Sequence, residues 1–76
     1  MHLLAEHLRT LFGFTKAEAA IALKLIEGLS YGEIAEKLSI SYHTVHTHIK
    51  AIHAKAGVST TGRLIALIRD ALDVRR

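Results

Sequence analysis

The chain has 76 residues and no cysteine. It makes one domain at most, burying about 60 to 65% of the surface its unfolded form exposes, and it has no disulfide framework, thiolate zinc site or cysteine nucleophile. Half of its residues are hydrophobic and its formal net charge is +3, which suits one modest core and excludes a disordered chain. No stretch approaches the roughly 18 apolar residues of a membrane span, and the first residues lack the apolar run of a signal peptide. The expectation is a soluble, cytoplasmic protein with no membrane partner.

Proline is absent, which leaves glycines and Ser/Thr caps to punctuate the chain. No alternating run is long enough for a strand, so the expected fold is all-α. Leu4, Leu8 and Leu11 share one face of the segment Leu3 to Phe12, predicting a short amphipathic helix or the stub of a linker over 1–13. Thr15 with Glu18 has capping-box spacing and opens a helix running to about Glu27. Its core stripe is Ile21 and Leu25, flanked by Ala17, Ala20 and Ile26, and Gly28 stops it. Ser30 and Glu33 repeat the box for a short helix to about Leu38, with Ile34, Ala35 and Leu38 inward. Ser39, Ile40 and Ser41 form the next break, and Ser41 caps a helix over about 42–56 that Gly57 ends. There Val45, Ile49, Ile52 and Ala56 form a core stripe; the opposite face carries His43, Thr47, Lys50 and Ala54, with His46 and Ala51 beside it. A last helix, from Thr60 or Thr61 to Leu72, carries Leu64, Ile65, Leu67, Ile68, Ala71 and Leu72, more apolar width than one core contact requires.

The charges are unevenly placed. Glu6, Glu18, Glu27, Glu33 and Glu36 come early, and Asp70 and Asp73 come late. Between Lys37 and Arg69 there is no acid, while Lys50, Lys55, Arg63, His43, His46, His48 and His53 fall there, an arrangement suited to a polyanion. Two helices joined by a three-residue break match a helix-turn-helix: Ala35 is small where they cross, and Ile34, Leu38, Ile40 and Val45 form the wedge that fixes their angle. An ordinary helical hairpin has the same pattern, and a solvated basic face the same charges.

The residues Phe14-Thr15, Glu18, Gly28, Glu33-Ile34-Ala35, Leu38, Ile40-Ser41, Thr44-Val45, His48, Ile52, Lys55 and Gly57-Val58 resemble the LuxR-type (GerE-type) helix-turn-helix pattern over roughly Phe14 to Leu67. The resemblance implies a compact four-helix domain over 14–72, preceded by the extra N-terminal helix and followed by an end piece over 73–76. It implies a bacterial transcription regulator that binds double-stranded DNA as a homodimer through the last helix, with RNA polymerase as a further candidate partner and no cofactor. Carried over by position, His46, Thr47 and Lys50 meet base edges, with His43 a plausible addition from the helical face. Ser41, Thr44 and Lys55 suit backbone phosphates, and Leu64, Leu67, Ile68 and Ala71 form the dimer contact. Glu18 pairs with Lys55 in that pattern, tying the two helices, and such a pair would contribute little if exposed. Three departures stand out: Lys16-Ala17 where Pro-Arg is common, Ala56 for a usual leucine, and Thr61 for an arginine whose phosphate contact then falls to Arg63. With no sensing or receiver domain upstream, the chain reads as an effector domain excised from a longer regulator, or as a stand-alone one.

Other readings are weaker. Six histidines invite a metal, but no cysteine or familiar histidine motif supplies three or four convergent ligands; the same imidazoles, once protonated, would strengthen DNA binding as pH falls. An enzyme is not expected, for there is no phosphate loop, no nucleophile beside a base and little volume for a pocket. A protein-interaction module that has lost DNA binding remains an alternative. So does a sigma-factor promoter-reading domain, although that would place its recognition helix last or nearly last.

Overall fold

The computed structural model describes residues 2–72; the end piece expected over 73–76 lies outside them. Five helices follow in order: α1 (His2–Phe12), α2 (Lys16–Ile26), α3 (Tyr31–Leu38), α4 (Tyr42–Ala56) and α5 (Thr61–Leu72). No strand occurs among the described residues.

Local chemistry sets these boundaries. Thr15 and Ser30 each accept a hydrogen bond from the backbone N–H three residues on, and Glu18 and Glu33 reach back to the capping residues' amides, closing two capping boxes. Ser41 caps α4 by accepting from the Thr44 amide at 3.0 Å. At the other ends, α2, α3 and α4 stop in the same way, with one left-handed residue and an amide reaching back five positions. These bonds are Leu29 to Lys24 O at 3.2 Å, Ile40 to Ala35 O at 3.0 Å and Val58 to His53 O at 3.0 Å. Gly28 and Gly57 hold the left-handed position in α2 and α4 (φ +95° and +73°), but in α3 it falls to Ser39 (φ 56°).

The core has α2 at its centre, packed against α1, α3, α4 and α5. Leu8, Ile21, Ile34, Val45, Ile52, Leu64 and Ile68 are its largest fully buried side chains. The α2 stripe is wider than its isoleucine and leucine suggested. Ala19 and Ala22 are fully buried, while Ala17 is exposed and Ala20 half-buried, because a helix with neighbours on several sides turns small residues toward more than one of them. In α1 Leu8 is fully buried and Ala5 and Phe12 pack partly buried against the core, while Leu4 and Leu11 stay 47% and 49% exposed. These contacts make α1 part of the common core rather than a detached linker.

The helix-turn-helix is α3, the turn 39–41, and α4. Ile34 and Val45 are fully buried and Ala35 is 9% exposed, while Leu38 and Ile40 are half-buried at the rim of the wedge.

The dimer expectation needs correcting in α5. Leu64 and Ile68 retain no exposed surface because they fill the core beside α2 and α4. They leave nothing for a second chain, whereas Leu67 and Ala71 are half-buried on the flank of the helix.

Candidate nucleic-acid interface

Packing Val45, Ile49 and Ile52 inward forces the opposite face of α4 into solvent. His43, His46, Thr47, Lys50 and Ala54 are all exposed, and Ala51 is half-buried at the edge of this face. The four residues expected to meet bases therefore share one free surface over the first nine positions of a 15-residue helix. Thr47 Oγ1 donates to His43 O at 3.1 Å, which leaves its methyl and an oxygen lone pair outward.

At the N-terminus of α4, the hydroxyls of Ser41 and Thr44 share a hydrogen bond at 2.8 Å. Ser41 is exposed and Thr44 half-buried, beside amides at the positive end of the helix dipole. Ser41 Oγ accepts the capping amide on a lone pair, and with Thr44 as the donor in the hydroxyl pair its own O–H proton is available to donate to a phosphate oxygen. Arg63 is exposed in the first turn of α5, where its amide donates to Thr60 Oγ1 at 3.2 Å.

Lys55 sits in a different setting. Its Nζ donates to Glu18 Oε1 at 2.7 Å, and the Thr15 amide donates to the same oxygen at 2.8 Å. Glu18 is only 5% exposed, so the pair is not a weak surface bridge. Burial pushes the Glu18 carboxyl upward, but hydrogen bonds from Lys55 and Thr15, with the charge of Lys55, outweigh it and hold the pKa below its ordinary value. This interaction ties α2 to the end of α4 and occupies part of the charge expected to meet phosphate.

Two features escaped the sequence reading. Tyr42, the first residue of α4, is 56% exposed, and with Tyr31 it packs around His46. Aromatic residues four apart on a helix are a legible signal for the Tyr42–His46 half; Tyr31 lies on another helix and left none. Thr61, where an arginine was looked for, points inward instead: its hydroxyl bonds the Tyr31 hydroxyl and lies 3.3 Å from His53 Nε2. Among the described residues no three His, Asp or Glu side chains are placed to hold a metal ion, and no helix is long and apolar enough to cross a membrane.

The family model for bacterial regulatory proteins of the luxR family (GerE) matches residues 13–68. The transcriptional regulatory protein TdiR of Thauera aromatica is 38% identical over 63 residues, a stretch covering 83% of this chain and 28% of that protein. No solved structure matches.

Proposed function

The chain belongs to the luxR family of bacterial regulatory proteins; DNA binding and transcription regulation come with that membership, and from this premise we propose that it reads specific sequences in double-stranded DNA by laying α4 in the major groove. The observation that carries this reading is the outward face of α4, where His43, His46, Thr47 and Lys50 stand exposed directly after a tight turn. An α-helix fits the major groove, and its N-terminal half is the part that approaches base edges. Lys50 suits guanine O6 and N7, Thr47 a thymine methyl, and the two histidines base-edge acceptors. Ser41, Thr44 and Arg63 hold phosphates and fix register without reading sequence. Lys55 serves chiefly as the tie to Glu18 and only secondarily as a phosphate contact.

Two copies, related by a two-fold axis and meeting through the Leu67 and Ala71 flank of α5, would read two half-sites. The chain spans 28% of its curated relative, so the signal that governs this regulator, and any contact with RNA polymerase, would belong to a longer protein.

Selection of binding sites from random duplex DNA tests the reading, followed by affinity for the winning site at several salt concentrations. An enriched inverted repeat, with affinity falling by about 0.9 log units per log unit of salt for each phosphate neutralised, is the expected result. Weak binding without enrichment would overturn it in favour of an interaction module.

A further inference from the structure

His46 does not stand alone on the α4 face. Its ring centroid lies 5.1 Å from that of Tyr42, one turn earlier on the same helix, and 5.1 Å from that of Tyr31 in the first turn of α3. The imidazole meets Tyr31 edge to face at 85° and Tyr42 at a 52° tilt, and the two tyrosines are 6.4 Å apart. The separations, and the edge-to-face meeting with Tyr31, are those that ring quadrupoles favour. A lone side chain on an exposed helix face samples several rotamers, but this one is bracketed on two sides and still open to solvent. Tyr31 is also held at its far end, because its hydroxyl shares a hydrogen bond with Thr61 at the start of α5. A line of contacts therefore runs from α5 through the Tyr31 ring to the leading half of α4.

We propose that Tyr31 and Tyr42 are positioning residues for base reading: they fix the imidazole of His46 in one orientation before DNA arrives. The proposal rests on the DNA-reading role of α4 set out above. A mobile histidine must be ordered on binding and accepts several base edges from several angles. One clamped between two rings has met that ordering cost during folding and presents its nitrogens along one direction. Tyr42 is held by its own helix, and Tyr31 by Thr61, so the clamp has one support on each side of the turn.

The experiment uses the 76-residue chain. Wild type first selects a site from random duplex DNA; affinities for that site and its single-base variants are then measured for His46→Ala, Tyr31→Ala, Tyr31→Phe, Tyr42→Ala and the His46→Ala doubles. His46→Ala should flatten the preference at one position of the half-site. Tyr31→Ala and Tyr42→Ala should flatten that same position, lower affinity for the selected site by about 2- to 10-fold, and add nothing once His46 is already alanine. Tyr31→Phe keeps the ring against His46 but gives up the hydroxyl bond to Thr61, and should flatten the preference less than Tyr31→Ala. In the free protein, the imidazole resonances of His46 should move in Tyr31→Ala and Tyr42→Ala toward those of a histidine without ring neighbours, a readout that needs no DNA. Tyr42 is largely in solvent, so Tyr42→Ala carries the test even where Tyr31→Ala unfolds.

A uniform loss on every sequence, additive with His46→Ala, would make the tyrosines merely structural and overturn the proposal. Failure of wild type to select any sequence would bring down the DNA reading of α4 and this proposal together. A selected site whose base preferences survive both alanine variants would bring down this proposal alone.

Discussion

Glu18 is a carboxylate where burial alone would favour the neutral form, and two donors on one of its oxygens reverse that preference. A carboxyl with a folded pKa below its unfolded one binds fewer protons in the native state. It therefore adds stability above the ordinary glutamate value of about 4.3 and loses that contribution as pH falls through the lower, folded value. Lys55→Met removes the strongest interaction that opposes burial and leaves only Thr15 to oppose it. Denaturant melts should then show a loss of about 1 kcal/mol at pH 7, modest because Lys55 is 36% exposed and partly screened, and a smaller further loss on going to pH 3.5 than wild type suffers. An unchanged acid dependence would mean that the pair does not set it. A second single-residue effect sits at Ser39, the left-handed end of α3, where α2 and α4 use glycine. An L-residue there costs roughly 1 to 2 kcal/mol, while glycine adds unfolded-state entropy worth about 0.4 to 1 kcal/mol. Ser39→Gly should therefore stabilise by about 0.5 to 1 kcal/mol, visible as a higher denaturant midpoint at constant slope.

At the scale of elements, the α3–α4 crossing depends on Ala35, which is 9% exposed between the fully buried Ile34 and Val45. Ala35→Leu adds three heavy atoms where two helices meet and should cost about 1 to 3 kcal/mol by overpacking. Because it changes the angle at which α4 is presented, it should weaken DNA binding even at temperatures where circular dichroism still shows a folded chain; full binding by the folded variant would show that the crossing has slack. The three middle helices were legible because caps and apolar period agree in them: Thr15 with Glu18, Ser30 with Glu33, and Ser41 before a stripe of Val45, Ile49 and Ile52; α1 and α5 followed from apolar period. Periodicity shows which side of a helix is apolar but not how many neighbours it has. That is why Leu4 and Leu11, on one face with Leu8, remain half-exposed, and why burial in α2 extends beyond Ile21 and Leu25 to Ala19 and Ala22. The exposed face of α4 followed from its stripe. Its Tyr31 and Thr61 partners did not, since a contact between residues 30 positions apart leaves no period in the sequence.

For the whole molecule, the question is what the apolar helix α5, which closes the core, leaves for the proposed contact between two copies. Leu64 and Ile68 are fully consumed inside, so α5 offers a second chain only a flank that includes Leu67 and Ala71. A stable interface needs about 800 Å² from each partner, more than one side of a 12-residue helix supplies. The free chain should therefore be monomeric at micromolar concentration, with two copies meeting on an inverted repeat where DNA holds them at high effective concentration. Leu67→Glu places a charge on that flank and leaves the core intact. Affinity for an isolated half-site should stay within about twofold, while affinity for the full repeat should fall on the order of 100-fold as the second copy loses its linkage to the first. Leu64→Ala should behave differently, costing about 2 to 5 kcal/mol of folding stability through the cavity it leaves and lowering half-site and full-site binding together. Equal losses on both DNAs for Leu67→Glu, measured beside unchanged thermal stability, would remove this flank from the dimer contact and require the two copies to meet through another surface.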